Sequence, residues 1–133
     1  MELEVAGRKA YAYTGGKPFD ASRPTVVFVH GAQHDHSVWI LQSRYLAHHG
    51  FSVLAVDLPG HGRSAGPALS SVEAMAGWVL ALLDAAGAPR AAIVGHSMGS
   101  LIALEAAGQA PARVIRVALL GAAFPMKVSD ALL

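Results

Sequence analysis

Apolar residues fall along this chain in two periods. Thr25-Val26-Val27-Phe28-Val29 is an unbroken β-branched run between Pro24 and His30-Gly31, and Phe51-Ser52-Val53-Leu54-Ala55-Val56 is a second, entered from Gly50. Runs of that length without alternation predict strands buried on both faces. Ala91-Ala92-Ile93-Val94 and Val114–Leu120 predict two more strands. Between these runs the spacing becomes helical. Val38, Leu41, Tyr45 and Leu46 recur on one helical face over 38–49, and Gly50 closes the segment. Val72, Met75, Ala76, Val79, Leu80 and Leu83 make a longer stripe that ends at Gly87 and Pro89. Ser70 with Glu73 reads as a capping box for that helix. A third helix spans about Met98 to Gln109 and stops before Pro111. Residues 2–14 alternate weakly up to Gly15-Gly16, with Tyr11 and Tyr13 on one face, which predicts an edge hairpin.

Strand–helix alternation at this spacing requires right-handed crossovers and a mostly parallel sheet with helices on both faces, an α/β fold. No repeat, linker or low-complexity segment divides the chain, so residues 1–133 are read as part of one domain. Composition sharpens this. Hydrophobic residues make up 53% and charged residues 14%, against a charged share of roughly 25% in ordinary soluble domains. That balance suits a doubly covered sheet, and it suits a piece of a larger domain, because a small complete domain needs more polar surface. The net charge of +1 comes without any basic stripe, which argues against nucleic acid or an acidic membrane as partner. The absence of cysteine removes disulfides, thiolate metal sites and a Cys nucleophile together. Asp84, His96-Ser97 and Arg116 interrupt the longest apolar runs, so none reaches the ~18 residues of a spanning helix. Met1-Glu2-Leu3-Glu4 lacks the order of a signal peptide. The expectation is a soluble, cytoplasmic protein.

The candidate chemistry sits at Gly95-His96-Ser97-Met98-Gly99. Gly-x-Ser-x-Gly alone is a weak signal in a chain with 14 glycines. Its position, where a predicted strand meets a predicted helix, is what a nucleophile elbow needs. A serine on so sharp a turn is strained, and side chains two positions to either side would collide with backbone, which glycine avoids. The turn also aims the first amides of the next helix at an oxyanion formed beside the serine.

Two further segments join this one. Phe28-Val29-His30-Gly31-Ala32, with Trp39 downstream, and Asp57-Leu58-Pro59-Gly60-His61-Gly62-Arg63-Ser64 stand in the order and spacing of the motifs after the third and fourth strands of the α/β-hydrolase superfamily. Val94 to Ser100 resembles the elbow after the fifth. The resemblance covers essentially the whole chain and implies a serine hydrolase of an ester or related acyl substrate, working through an acyl-enzyme at Ser97. It makes the backbone amides of Ala32 and Met98 the oxyanion hole. It implies no cofactor and no metal. Family order is Ser, then acid, then His. The resemblance therefore places the acid and the His beyond Leu133, with the sheet truncated after about the sixth strand and the cap absent. Such a piece is expected to self-associate along the edge Val114–Leu120 or to require its C-terminal half.

Residues within the chain are poor substitutes for the missing pair. The family uses Asp57 to brace its loop, His96 should diverge from Ser97, and His30 should bond backbone and shape the oxyanion loop. Asp130 lies where a few relatives place their acid, but Val128 to Leu133 reads as the start of a cap helix. His30, His34, Asp35 and His36 cluster after a strand, but their spacing does not match His-x-His-x-Asp-His, and they read as loop histidines near a site mouth. His34 and His36 are the candidates to face substrate. Gly60-x-Gly62-x-x-Ala65 has the letters of a dinucleotide fingerprint but lacks a helix starting on the turn. A Ser at the nucleophile position disfavours the dehalogenase and epoxide-hydrolase branches, which the resemblance gives an Asp. The competing function is a catalytically inactive binding or signalling module on the same fold.

Overall fold

In the computed structural model residues 1–121 are described. The segment Val128 to Leu133, with Asp130, lies outside them. Six strands form one sheet: β1 Glu2–Val5, β2 Arg8–Tyr13, β3 Thr25–Val29, β4 Ser52–Asp57, β5 Ala91–His96 and β6 Val114–Leu120. Their order is β1-β2-β4-β3-β5-β6. The hairpin β1–β2 is antiparallel and joins β4 antiparallel. From β4 through β3 and β5 to β6 every pairing is parallel. Three helices connect the parallel strands: α1 Ile40–Ala47, α2 Val72–Ala86 and α3 Met98–Gln109.

Strand alternation sorts the core into two layers. Val27, Val29, Leu54, Val56 and Ile93 face α2 and α3, together with Val79, Leu83, Ile102 and Ala106. Val26, Phe28, Val53 and Ala55 face the other way, against Trp39 and Ala47. β3 and β4 are buried throughout, as their unbroken runs predict. β5 is not. Ala91, Ile93 and Gly95 are buried, whereas Ala92, Val94 and His96 are half-covered. In β6 only Val114 is buried. On the α1 face of β5, α1 packs toward β4 and leaves Ala92, Val94 and His96 half-covered, and β6 is exposed on both faces because it is the last strand of the sheet among the described residues.

Two local expectations are corrected. Most of the stripe assigned to the first helix points outward: Leu41 is 77% and Tyr45 63% exposed, and Val38 is exposed too, whereas Leu46 packs against the core. The segment opens instead as a 3-10 turn, His36–Trp39, and the buried positions are Trp39, Ser43 and Ala47. Gly15 selects that face. It holds φ +77° with its Cα against Ser43 and Ala47, where an added Cβ would stand 2.5 Å from the Ser43 carbonyl oxygen. The cap of α2 is also one residue later than expected. Ser71, not Ser70, accepts from the Ala74 amide, and Glu73 sits in the first turn near the positive end of the helix dipole. Its far end follows expectation, with Gly87 left-handed at φ 74°.

One buried side chain ties the strand ends together. His30, directly after β3, is fully buried. The Leu58 amide, just after β4, donates to its Nε2 at 3.1 Å. An amide can only donate, so Nε2 carries no proton. Nδ1 therefore donates to the Gly31 carbonyl oxygen at 2.7 Å, and the ring is neutral. Burial holds His30 below the usual imidazole range, outweighing the Gly31 bond, which acts the other way. A lowered folded-state pKa means the unfolded chain binds this proton first. The contribution is complete above roughly pH 6.5, the free imidazole value, and is lost as pH falls toward the folded-state pKa. We expect stability in urea to drop below pH 6.5 by up to about 1.4 kcal/mol per pH unit from this one group. His30→Leu should flatten that part of the slope and cost about 1–3 kcal/mol at pH 7, because the Leu58 amide is left unpaired. Equal slopes in the two proteins would remove His30 from this role.

Candidate active site

The elbow is built by backbone compression. Ser97 joins β5 directly to α3 with φ 56° and ψ −118°, a left-handed conformation that a non-glycine residue holds only under constraint from its surroundings. The constraints are visible. Its amide donates to the Leu120 carbonyl oxygen at 2.9 Å, and its carbonyl accepts from Ser100 at 2.9 Å. The Ser100 hydroxyl donates to Gly95 at 2.9 Å or to Leu120 at 3.0 Å, holding the first turn of α3 to β5 and β6. A Cβ on Gly95 would overlap the Gly99 carbonyl, and one on Gly99 would overlap the carbonyl of Val29. The Ser97 side chain makes no capping bond to its own helix.

The neighbouring strand end supplies the facing wall. After β3 the chain turns through Gly31, Ala32 and Gln33, closed by the His34 amide donating to Gly31 at 3.2 Å. Gln33 is left-handed at φ 63°. A cavity of about 450 Å³ opens here, lined by Ala32, Gln33, His34, His96, Ser97 and Met98. The Met98 amide is the first of α3, so it has no acceptor within the helix and lies at the positive end of its dipole. Ser97 and the two residues assigned to an oxyanion hole thus share one cavity. It sits beyond the carboxyl ends of the parallel strands, where open α/β sheets bind ligands.

The histidines separate. His34 lines the Ser97 cavity, and its ring stacks on that of His96 at 6.4 Å. His36, expected to face substrate as well, turns away. Its Nδ1 is 2.9 Å from Asp57 Oδ1, its amide donates to the same oxygen at 2.7 Å, and its ring lies against Tyr11 and Tyr13. Asp57 causes this. It is fully buried, and a buried carboxylate must be surrounded by donors. The Arg63 amide satisfies its other oxygen at 2.9 Å. Gly62 lies so close that a Cβ there would overlap the carboxylate. Asp57 therefore braces its loop, and the His36–Asp57 pair does not border the Ser97 cavity. Asp35, His36 and Asp57 lie near enough to share a metal ion. Asp35 Oδ1 accepts from the Ser37 amide and hydroxyl, and both oxygens of Asp57 accept as described. The Ser37 bonds also hold the Asp35 carboxyl below its usual range. The Gly60–Ala65 loop closes through Gly60 donating to Ala65, and α2 starts only after Ser71, so no helix begins on the glycine turn.

Sequence reasoning missed one wall. Leu69, Val72 and Met75 border a second cavity, of about 410 Å³, that reaches Met98. Val72 and Met75 carry no signal beyond the helical stripe that assigns them to the core.

The elbow generates a test. Gly99→Ala must push α3 off the Val29 carbonyl, and Gly95→Ala must push β5 off Gly99. Each should cost about 1–3 kcal/mol or more in chemical denaturation. Gly108→Ala, where a Cβ meets nothing within 4 Å, should be neutral or stabilising. Tolerance of alanine at both 95 and 99 would show that the turn is not as tight as described.

Comparison with known proteins agrees with this architecture. Residues 24–132 match the alpha/beta hydrolase fold family. The chain is 40% identical over 126 residues to the dihydrolipoyllysine-residue acetyltransferase component of the acetoin cleaving system of Cupriavidus necator, covering 93% of this chain and 31% of that protein. It is similar to a membrane phospholipase A described as a bacterial virulence factor, with a TM-score of 0.81 and 31% identity over 90% of this chain and 38% of that one. It is similar to the enol-lactonase of Burkholderia xenovorans, with a TM-score of 0.78 and 30% identity over 88% and 45% of the two chains. The chain spans about a third of the length of the curated relatives it matches. On fold, strand order and sequence, it belongs to the α/β-hydrolase-fold family.

Proposed function

We propose that Ser97 is the nucleophile of a hydrolase acting on an ester or related acyl substrate. The observation that carries this is the left-handed Ser97 at the β5–α3 turn, in one cavity with Ala32 and Met98. The Ser97 oxygen attacks the acyl carbon, and the carbonyl π electrons move onto its oxygen. The Ala32 and Met98 amides donate to that oxyanion, each contributing about 3 kcal/mol to the transition state. Collapse expels the alcohol, which takes up a proton, and leaves an acyl-serine that water then hydrolyses. The serine proton needs a base. His30 is committed to Leu58 and Gly31, and His36 to Asp57. The family order of Ser, then acid, then His is the ground on which the base and its orienting acid are assigned to residues of the full-length protein beyond 133. Phospholipase and enol-lactonase neighbours both fit acyl chemistry.

In the full-length protein, Ser97→Ala should lower kcat for p-nitrophenyl acetate by at least about 10⁴-fold and leave the circular dichroism spectrum unchanged. A fluorophosphonate should add once by intact mass, at Ser97. Residues 1–133 alone should turn over the ester far more slowly. Unchanged turnover in Ser97→Ala would transfer the chemistry elsewhere. No acylation at all in the full-length protein would favour an inactive binding module on the same fold.

A further inference from the structure

Leu69 has two sides. One borders the cavity at the start of α2, and the other a smaller hollow of about 190 Å³ enclosed by the β1–β2 hairpin, the loop after β4 and α2. Val5, Pro59, Pro67, Leu69 and Trp78 give the hollow its apolar walls. Val5 and Pro59 are buried, and Leu69 and Trp78 half-buried. The two prolines hold their backbone at a fixed φ, so part of the wall is preformed. Ser97, Met98 and the loop after β3 do not border the hollow, and the serine chemistry does not use it.

A single arginine stands over these walls, and the hairpin register explains how it comes there. Arg8 opens β2 directly opposite Val5, and Leu3 lies opposite Ala10. Residues paired across two strands share a face. Arg8 therefore belongs to the face that carries Leu3, Val5 and Ala10 onto the core beneath α2. Lys9 takes the other face, opposite Glu4, and its ammonium lies 3.5 Å from Glu2. Arg8 makes no ion pair among the described residues, and no Asp or Glu is among those that border the hollow. Its Nη1 donates to the Gly66 carbonyl oxygen, which pins the guanidinium at the rim. That bond uses one of five N–H groups and leaves the rest of the fork for a ligand.

We infer that the hollow binds a small aromatic monocarboxylate, its ring between Trp78 and Leu69 and its carboxylate on the Arg8 guanidinium. The planar fork matches a carboxylate, with two parallel N–H···O bonds. The size agrees, since an apolar cavity of about 150 Å³ admits benzene. A phosphate would need more positive charge or a nest of amides, and no residue of the first turn of α2 borders the hollow. The site is independent of the acyl-hydrolase reading.

The probe is 4-fluorobenzoate, followed by fluorine NMR as it is titrated into the full-length protein. The comparison is 4-fluorobenzyl alcohol, which has the ring without the charge. Saturable binding of the acid is expected, about tenfold or more tighter than that of the alcohol. Arg8→Gln retains amide N–H groups for Gly66 and removes the charge, and it should weaken the acid by about tenfold. Arg8→Lys restores a point charge without the fork and should fall between the two. Ala65→Phe fills the hollow from an exposed position on its lining and should exclude both ligands. Neither Arg8 nor Ala65 borders the Ser97 cavity, so these losses report on the hollow alone. Absence of saturable binding by the full-length protein would overturn the inference. So would equal affinity for acid and alcohol, or affinity for the acid that is unchanged in Arg8→Gln or in folded Ala65→Phe.

Discussion

Everything at this site depends on how closely the backbone of α3 approaches the ends of β3 and β5. Gly99 lies against the Val29 carbonyl and Gly95 against Gly99, with no room for a methyl group at either. That contact places Ser97 at the junction and forces it left-handed. It also brings the start of α3 to the end of β3, where the Ala32 loop begins. The strain in Ser97 is of the order of 1–3 kcal/mol. The packed layer of Ile93, Ile102, Ala103 and Ala106 beneath α3 offsets it, since buried aliphatic side chains of the larger kind contribute about 1.5–3 kcal/mol each.

The loops around the serine are fixed by buried polar groups whose bonding capacity is fully used. His30 joins the loop after β3 to the loop after β4. Asp57 does the same from the other side, through the amides of His36 and Arg63. Ser64 adds a third tie, donating to the Asp57 carbonyl oxygen at 2.6 Å and accepting from the Tyr11 amide at 2.9 Å. A buried polar network stiffens a structure only when each member is satisfied. By that measure the loops are rigid where they leave the sheet.

Much of this was legible in the sequence because it is local. The strands at 25–29 and 114–120 and the helix at 98–109 follow from apolar runs bounded by turn residues. The elbow follows from two glycines flanking Ser97 at the one spacing that serves a strand-to-helix turn. What the sequence did not disclose depends on distant partners. The first helix turns its Val38–Leu41–Tyr45 stripe outward because Gly15, far back in the chain, admits the opposite face. Period alone cannot choose between two faces that are each partly apolar. His36 and His34 are two residues apart and chemically identical. Only the buried carboxylate of Asp57, after a different strand, decides that one braces a loop and the other meets a cavity. The cap moved from Ser70 to Ser71 because adjacent serines offer the same hydroxyl, and the helix start selects between them.

The loop after β3 shows how one short segment divides a buried root from an exposed tip. Its root, His30 and Gly31, is buried and bonded to the β4 side. Its tip, Gln33 and His34, is exposed and forms the two shared walls by which the Ser97 cavity meets its neighbours. His30 cannot change without leaving the buried Leu58 amide unpaired. His34, exposed at the tip, can change at little cost to folding, since substitutions on exposed surface are usually within about 0.5 kcal/mol. Under the proposed function, substrate preference can therefore be altered at position 34 while the Ala32 backbone, two residues away, stays in place. A rigid backbone donor beside a freely variable side chain is what allows one scaffold to keep its chemistry and exchange its substrates.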